Sequence, residues 1–207
     1  MTEPPSDSAA DNDVVAPDDA RSGDAPTVPH WETLSSERAD WMILFRPRYD
    51  ITVHPRSGEH FKRLVLETPD WVNVVARTAD GRYVFVEQYR FGTRTLTQEL
   101  PGGMVDPGEE HGVAARRELR EETGYTAERW TYLGCVQPNP AFHDNHCHHW
   151  LAEDARLTEP QELDSGEDIA VRLLDEPAIH AGIRSGLIGH SLVQTALARA
   201  LDLRQDR

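Results

Sequence analysis

Lysine is nearly missing: among 207 residues Lys62 is the only one, so arginine carries almost all the positive charge. Positive charge is itself scarce, with 21 Lys and Arg against 36 Asp and Glu and a formal net charge of −15. So acidic a surface repels polyanions, which excludes broad binding to nucleic acid or to an anionic membrane. An anionic small molecule would have to be met by a few local arginines and by a metal ion. Cysteine is scarce too. Cys135 and Cys147 are the only two, and they indicate no disulfide framework. No apolar run approaches the length of a bilayer span, and the N-terminal residues lack the apolar core of a signal peptide. A cytoplasmic location without a membrane partner is the resulting expectation.

What is present divides unevenly. Residues 1–30 are rich in Asp, Pro, Ala and Ser, with seven acidic residues against one arginine. They offer too little apolar surface to offset the entropy of ordering, so a disordered acidic tail is expected. Residues 31–207 suit one domain with a sizeable core. Within 31–70, Trp41–Phe45 and Ile51–His54 read as strands, followed by a turn at Pro55–Gly58 and a strand at Phe61–Leu66. Two further β-rich runs, from Asp70–Trp71 to Ala76 and from Tyr83 to Gln88, flank the hairpin signal Ala79-Asp80-Gly81. Strands follow at Thr95–Leu100, Trp130–Val136, His148–Ala152 and Ile169–Leu174, with 153–167 read as a loop. Helical spacing marks a segment from Asp175 that ends at Gly189, and another over Ser191–Leu203. The order predicts an α/β sandwich, with helices on both faces of a mixed sheet.

The stretch Gly103–Tyr125, GMVDPGEEHGVAARRELREETGY, organises the rest. It opens with the turn Asp106-Pro107-Gly108 and reads as a helix from about Glu109 to a C-terminal Gly124. At 100° per residue, Glu118, Glu121 and Glu122 fall within an arc of roughly 100°. Carboxylates that close repel one another. A solvated helix face would gain nothing from them, whereas a hard divalent cation would remove the repulsion.

Gly103, five residues, Glu109, seven residues, Arg117-Glu118-Leu119, one residue, Glu121-Glu122, one residue, Gly124 and a last position resembles the Nudix box; the last position holds Tyr125. The resemblance implies the Nudix-type α/β/α sandwich, with a mixed sheet, a central box helix and C-terminal helices. It also implies hydrolysis of a phosphoanhydride with Mg²⁺ or Mn²⁺. On that basis Glu118 and Glu122 are the first expected metal ligands and Glu121 a third, serving also in catalysis. The Gly102 carbonyl is expected to join them and Glu109 to support them. Arg117 is expected to orient the carboxylates. Glu122→Gln is expected to spare folding, on the premise that the position is exposed.

Beyond the box, Gln88-Tyr89-Arg90 and Glu99-Leu100-Pro101-Gly102-Gly103 are similar to the run preceding the box in nucleoside-diphosphate-sugar hydrolases. Arg90 offers a fork for a phosphate, and Glu99 an acceptor for ribose or base. Pro140 lies fifteen residues past the box, a spacing found in the ADP-ribose pyrophosphatase branch. Phe142 beside it and Trp71 offer stacking faces, although core or hairpin packing is the preferred explanation for either residue. In the acidic loop Glu162–Asp168, Glu167 is the expected catalytic base, while Ser165 stands where some members carry it. The cluster His143–His149 invites a zinc reading, but no second ligand group lies near it in sequence. The expected substrate is ADP-ribose or a related nucleotide sugar. Hydrolysis of dinucleotide polyphosphates, a non-catalytic nucleotide-sugar sensor and an isoprenoid diphosphate isomerase are the other readings. The resemblance also implies a homodimer paired through the N-terminal strands.

Overall fold

The computed structural model describes residues 28–203; most of the expected acidic tail (1–27) and residues 204–207 lie outside them. Two sheets make up the β structure. A small antiparallel one has the order β1 (Glu32–Arg38), β2 (Arg46–Val53), β3 (His60–Glu67). The larger has seven strands: β4 (Trp71–Thr78), β5 (Tyr83–Arg90), β6 (Thr95–Glu99), β7 (Tyr125–Thr126), β8 (Arg129–Val136), β9 (Cys147–Leu157) and β10 (Ile169–Leu174). Its path runs β10-β5-β4-β9-β7, with β6 alongside β5 and β8 alongside β9. The pairing of β4 with β9 is parallel, and the other pairs are antiparallel.

Helices cover both faces of the large sheet. Val72, Val74 and Ala76 of β4 pack with Ala114, Ala115 and Leu119 of α1 (His111–Thr123). On the other face, Val75 and Phe85 meet Ile179 of α2 (Glu176–Ser185) and Val193, Ala196 and Leu197 of α3 (Ser191–Ala200). Because β4 and β5 are buried on both sides, their apolar residues run on without alternation. The expected α/β/α sandwich is therefore the fold.

Several boundaries differ from expectation. Trp41–Phe45 is not a strand. Met42 and Phe45 exchange backbone hydrogen bonds across a tight turn, and Ile43 at its tip is fully exposed. The sequence ETLSSER of β1 shows no apolar alternation because every residue of this edge strand is exposed; backbone pairing to β2 and the ion pair from Arg38 to Glu67 hold it. Helix α1 starts two residues later than expected, since Glu109 closes the preceding turn on Asp106. Strand β9 continues through 153–157, where Glu153 pairs with β8, Ala155 with β4, and Arg156 and Leu157 with β7. Helix α2 ends at Gly186, whose φ of 84° suits glycine, rather than at Gly189, and α3 ends at Ala200 rather than Leu203.

His149 of β9 is fully buried beside Arg199, and neither ring nitrogen has a hydrogen-bond partner among the described residues. Burial, with help from the Arg199 charge, holds its pKa down at about 4. An unfolded chain would protonate this imidazole near pH 6.5, so it binds more protons than the native state between those values. Stability should therefore fall as pH drops from about 6.5 towards 4, by roughly 3 kcal/mol. Thermal melts of wild type and His149→Leu at pH 7 and pH 4.5 check this. The wild type should lose more stability over the interval, and equal losses would show that His149 does not contribute.

Candidate active site and metal centre

The segment from Glu99 to Val105 connects β6 to the turn before α1 and runs beside β4. Val72 and Val74 donate to the carbonyls of Gly103 and Pro101 (both 2.9 Å), and Val105 donates to that of Asp70 (2.8 Å). This edge holds the Gly102 N–H towards α1, where it donates to Glu122 Oε2 at 2.8 Å. Gly102 is sterically required, whereas a side chain at Gly103 would displace the Glu118 carboxylate. A Cβ on Gly102 would lie 2.0 Å from the Val72 carbonyl oxygen, and one on Gly103 would lie 2.5 Å from Glu118 Oε1. The 100° periodicity that buries Ala115 and Leu119 carries Glu118 and Glu122 up to this loop. Glu122 is only 4% exposed, which corrects the expectation of a solvent-facing position.

Arg117 links three glutamates. It donates from Nε and Nη2 to the two oxygens of Glu109 (3.0 and 2.9 Å), and from Nη1 to Glu118 (2.8 Å) and Glu121 (3.3 Å). Its Nη2 also reaches the Met104 carbonyl at 3.0 Å, tying helix to loop. Glu121 receives a second arginine, Arg120, at 2.6 Å. Glu109, Glu118 and Glu121 are thus engaged by arginine, whereas among the described residues Glu122 has no arginine within ion-pairing distance.

The charges sort accordingly. Burial pushes the Glu122 carboxyl well above the usual range, and repulsion from Glu118 and Glu167 adds to it, against the Gly102 N–H. Glu118 is raised as well, first by burial and then by Glu121 and Glu167, against the pull of Arg117. Bonding to Arg117 instead holds Glu109 low. Glu167 is among the charges that act on Glu118, Glu122 and Arg90, and the loop that bears it touches α1 through Glu162, whose N–H donates to the Glu121 carbonyl at 2.8 Å. Arg90 forks Glu99, Nε to Oε1 and Nη2 to Oε2, both at 2.7 Å, and Thr97 adds a third bond at 2.7 Å. Burial would raise the Glu99 carboxyl, but these bonds outweigh it and hold it low. Pro140 and Phe142 belong to a turn against the end of β3, where Leu66 donates to the Phe142 carbonyl at 2.7 Å, and the Phe142 ring meets His143, which stands edge-on to Trp71. Among the described residues, neither makes a hydrogen bond or ring contact with the glutamates.

A divalent cation suits this chemistry. The donors are hard oxygens, and burial plus mutual repulsion make the Glu118 and Glu122 charges costly unless a cation is near. Among the described residues no three His, Cys, Asp or Glu side chains stand ready-made as a chelating group. That holds for the histidines of 143–149 as well. His148 is spent on Asp70 (3.1 Å) and the Tyr132 hydroxyl (2.9 Å), and its ring stacks on His111 with centroids 4.1 Å apart.

A glycine-edged loop facing the carboxylates of one helix, on a two-faced mixed sheet, agrees with the family comparison: the NUDIX domain matches residues 67–185, more than half the chain. The chain belongs to the Nudix family. It is 38% identical over 116 residues to the ADP-ribose pyrophosphatase of Bacillus subtilis (strain 168), covering 56% of this chain and 63% of that protein. It is 35% identical over 127 residues to the ADP-ribose pyrophosphatase of Mycobacterium tuberculosis (strain ATCC 25618 / H37Rv), covering 61% of each. The matches thus span less than two-thirds of these relatives' lengths. The fold resembles a solved structure described as the crystal structure of ADP compounds hydrolase, with a TM-score of 0.73 at 21% identity over 85% of this chain and 95% of that one.

Two residues of this Nudix domain escape sequence reasoning. Gln161 donates from Nε2 to the carbonyls of Glu122 (2.6 Å) and Ile169 (3.2 Å). Arg120 bridges Glu121 to Glu162, the latter at 2.7 Å. Both connect segments distant in sequence, and a glutamine in a polar loop carries no local signal.

Proposed function

We propose that this Nudix domain is a Mg²⁺- or Mn²⁺-dependent pyrophosphohydrolase that cleaves nucleoside diphosphate sugars, ADP-ribose foremost. The observation that carries the reading is the buried Glu122, held by the Gly102 N–H at 2.8 Å, with Glu118 one turn earlier on the same helix and the loop that bears Glu167 bonded to the end of that helix through Glu162 and Gln161. Glu118 and Glu122 would hold the ion, with the Gly102 carbonyl, and Arg117 keeps Glu118 oriented. A bound divalent ion supplies charge neutralisation on the diphosphate and lowers the pKa of water. Glu167 accepts the proton of the water that attacks phosphorus, and a phosphate ester leaves with the displaced bridging oxygen. Arg90, whose Nε and Nη2 are fixed by Glu99, presents Nη1 to a phosphate oxygen. Similarity to the two ADP-ribose pyrophosphatases supports the choice of substrate.

The same reading includes a homodimer built on the small sheet, where Leu34 and Leu64 are exposed, as is Trp41 beyond it. It also places the protein in the cytoplasm; no helix among the described residues is long and apolar enough to cross a membrane.

A substrate panel tests the function: ADP-ribose, GDP-mannose, ADP-glucose, NADH and diadenosine polyphosphates, each with Mg²⁺, Mn²⁺ or EDTA. ADP-ribose should give the highest kcat/KM, and EDTA should abolish turnover. Activity confined to diadenosine compounds would overturn the nucleotide-sugar assignment. Tight nucleotide-sugar binding without turnover would favour a sensor.

A further inference from the structure

The loop that carries Glu167 has no regular secondary structure, yet its position relative to α1 is closely controlled. Glu162 donates its backbone N–H to the Glu121 carbonyl at 2.8 Å, and its carboxylate takes Arg120 at 2.7 Å. Within the loop, Asp164 and Glu167 exchange bonds, N–H to carboxylate at 3.1 Å one way and N–H to carbonyl at 2.9 Å the other. The Gln161 amide closes the arrangement. One NH₂ group reaches the Glu122 carbonyl on the helix and the Ile169 carbonyl at the start of β10, so it holds both ends of the segment 162–168. The Glu122 carbonyl belongs to the last turn of α1, where the helix itself provides no partner. One side chain therefore joins the backbone of a proposed metal ligand to the loop bearing the proposed base.

The geometry points to Gln161 as a positioning residue for catalysis: it sets the distance between Glu167 and the Glu118–Glu122 pair, and Arg120 supports it through Glu162. This rests on the reading of Glu167 as the base. Gln161 has no exchangeable proton suited to the reaction and binds only backbone carbonyls, so its contribution is placement. Small displacements of a reacting group cost rate steeply.

A double-mutant cycle tests it, with Gln161→Leu, Glu167→Gln and their combination assayed on ADP-ribose with Mg²⁺. Gln161→Leu keeps the side-chain bulk and removes the donor. It should lower kcat by about tenfold or more and leave KM within about twofold, because misplacement acts on the reacting atoms. In the Glu167→Gln background it should cost nothing further, since the group it places is already disabled. Gln161→Glu, which also lacks the donor, provides the second variant, and circular dichroism melts confirm that each protein folds. Wild-type kcat in both Gln161 variants would overturn the inference. So would equal losses in the two backgrounds, which would mark a general structural role. An unimpaired Glu167→Gln would instead remove Glu167 as the base, and the role of Gln161 with it.

Discussion

Glu122→Gln should lower kcat by roughly 10³-fold while raising, not lowering, the melting temperature in EDTA. The loss follows from the chemistry: charge stabilisation by a metal is worth several kcal/mol, and each 1.4 kcal/mol is about tenfold in rate. The gain follows from burial. At 4% exposure the carboxyl is held well above the usual range by desolvation, so keeping it ionised costs folding energy. Glutamine keeps an oxygen for the Gly102 N–H and carries no charge. For an acid whose native pKa exceeds its unfolded one, stability is greatest at low pH and declines as pH rises between the two. The metal-free wild type should therefore lose stability relative to the variant as pH rises from 4 to 8. Added Mg²⁺ or Mn²⁺ should reverse the order, stabilising only the wild type by mass action. Melts of both proteins across pH, with and without the ions, check each part. Full activity in Glu122→Gln would mean that the ion sits elsewhere.

Gly102→Ala should damage folding and activity together. The added methyl would lie 2.0 Å from the Val72 carbonyl oxygen and 3.0 Å from the Asn73 Cα, and backbone cannot swing aside as a flexible side chain can. Relief requires the loop to leave β4, which breaks the bonds from Val72 and Val74 and withdraws the N–H from Glu122. A destabilisation of about 3 kcal/mol or more is expected, in line with overpacking and lost hydrogen bonds combined. Gly108→Ala makes a useful comparison: its φ of 79° carries a conformational cost, but no atom lies within 4 Å of the new methyl. Urea denaturation of the two variants should place Gly102→Ala well below Gly108→Ala. Comparable midpoints would show that the loop yields without cost.

The box helix and the core strands were legible because their signals are local. A fixed spacing of glutamates, glycines and one arginine specifies Gly103–Gly124, and runs of Val in β4 and β5 need no tertiary information. Strand β1 was not legible, because an exposed edge strand needs no apolar face. Trp41–Phe45 misled for the converse reason: consecutive apolar residues imply burial, yet Trp41–Leu44 are exposed. Arg90 and Glu99 were both picked out as candidates, but not as partners of each other; that pairing depends on the register of β5 against β6, in which Val86 faces Glu99 and Arg90 faces Thr95. The burial of Glu122 likewise depends on the loop above it. Gln161 shows the limit most plainly, since its role exists only once the chain has folded back over α1.

The parallel pairing of β4 with β9 places Trp71 opposite Cys147, residues 76 positions apart, with the whole of α1 in the intervening crossover. Such a long-range closure costs chain entropy before any contact repays it, and topologies of this kind fold slowly. The segment with Glu167 follows β9 in sequence, so a growing chain presents the glutamates of α1 before the proposed base can join them. Reactive competence is thus acquired late, after the tertiary scaffold has closed.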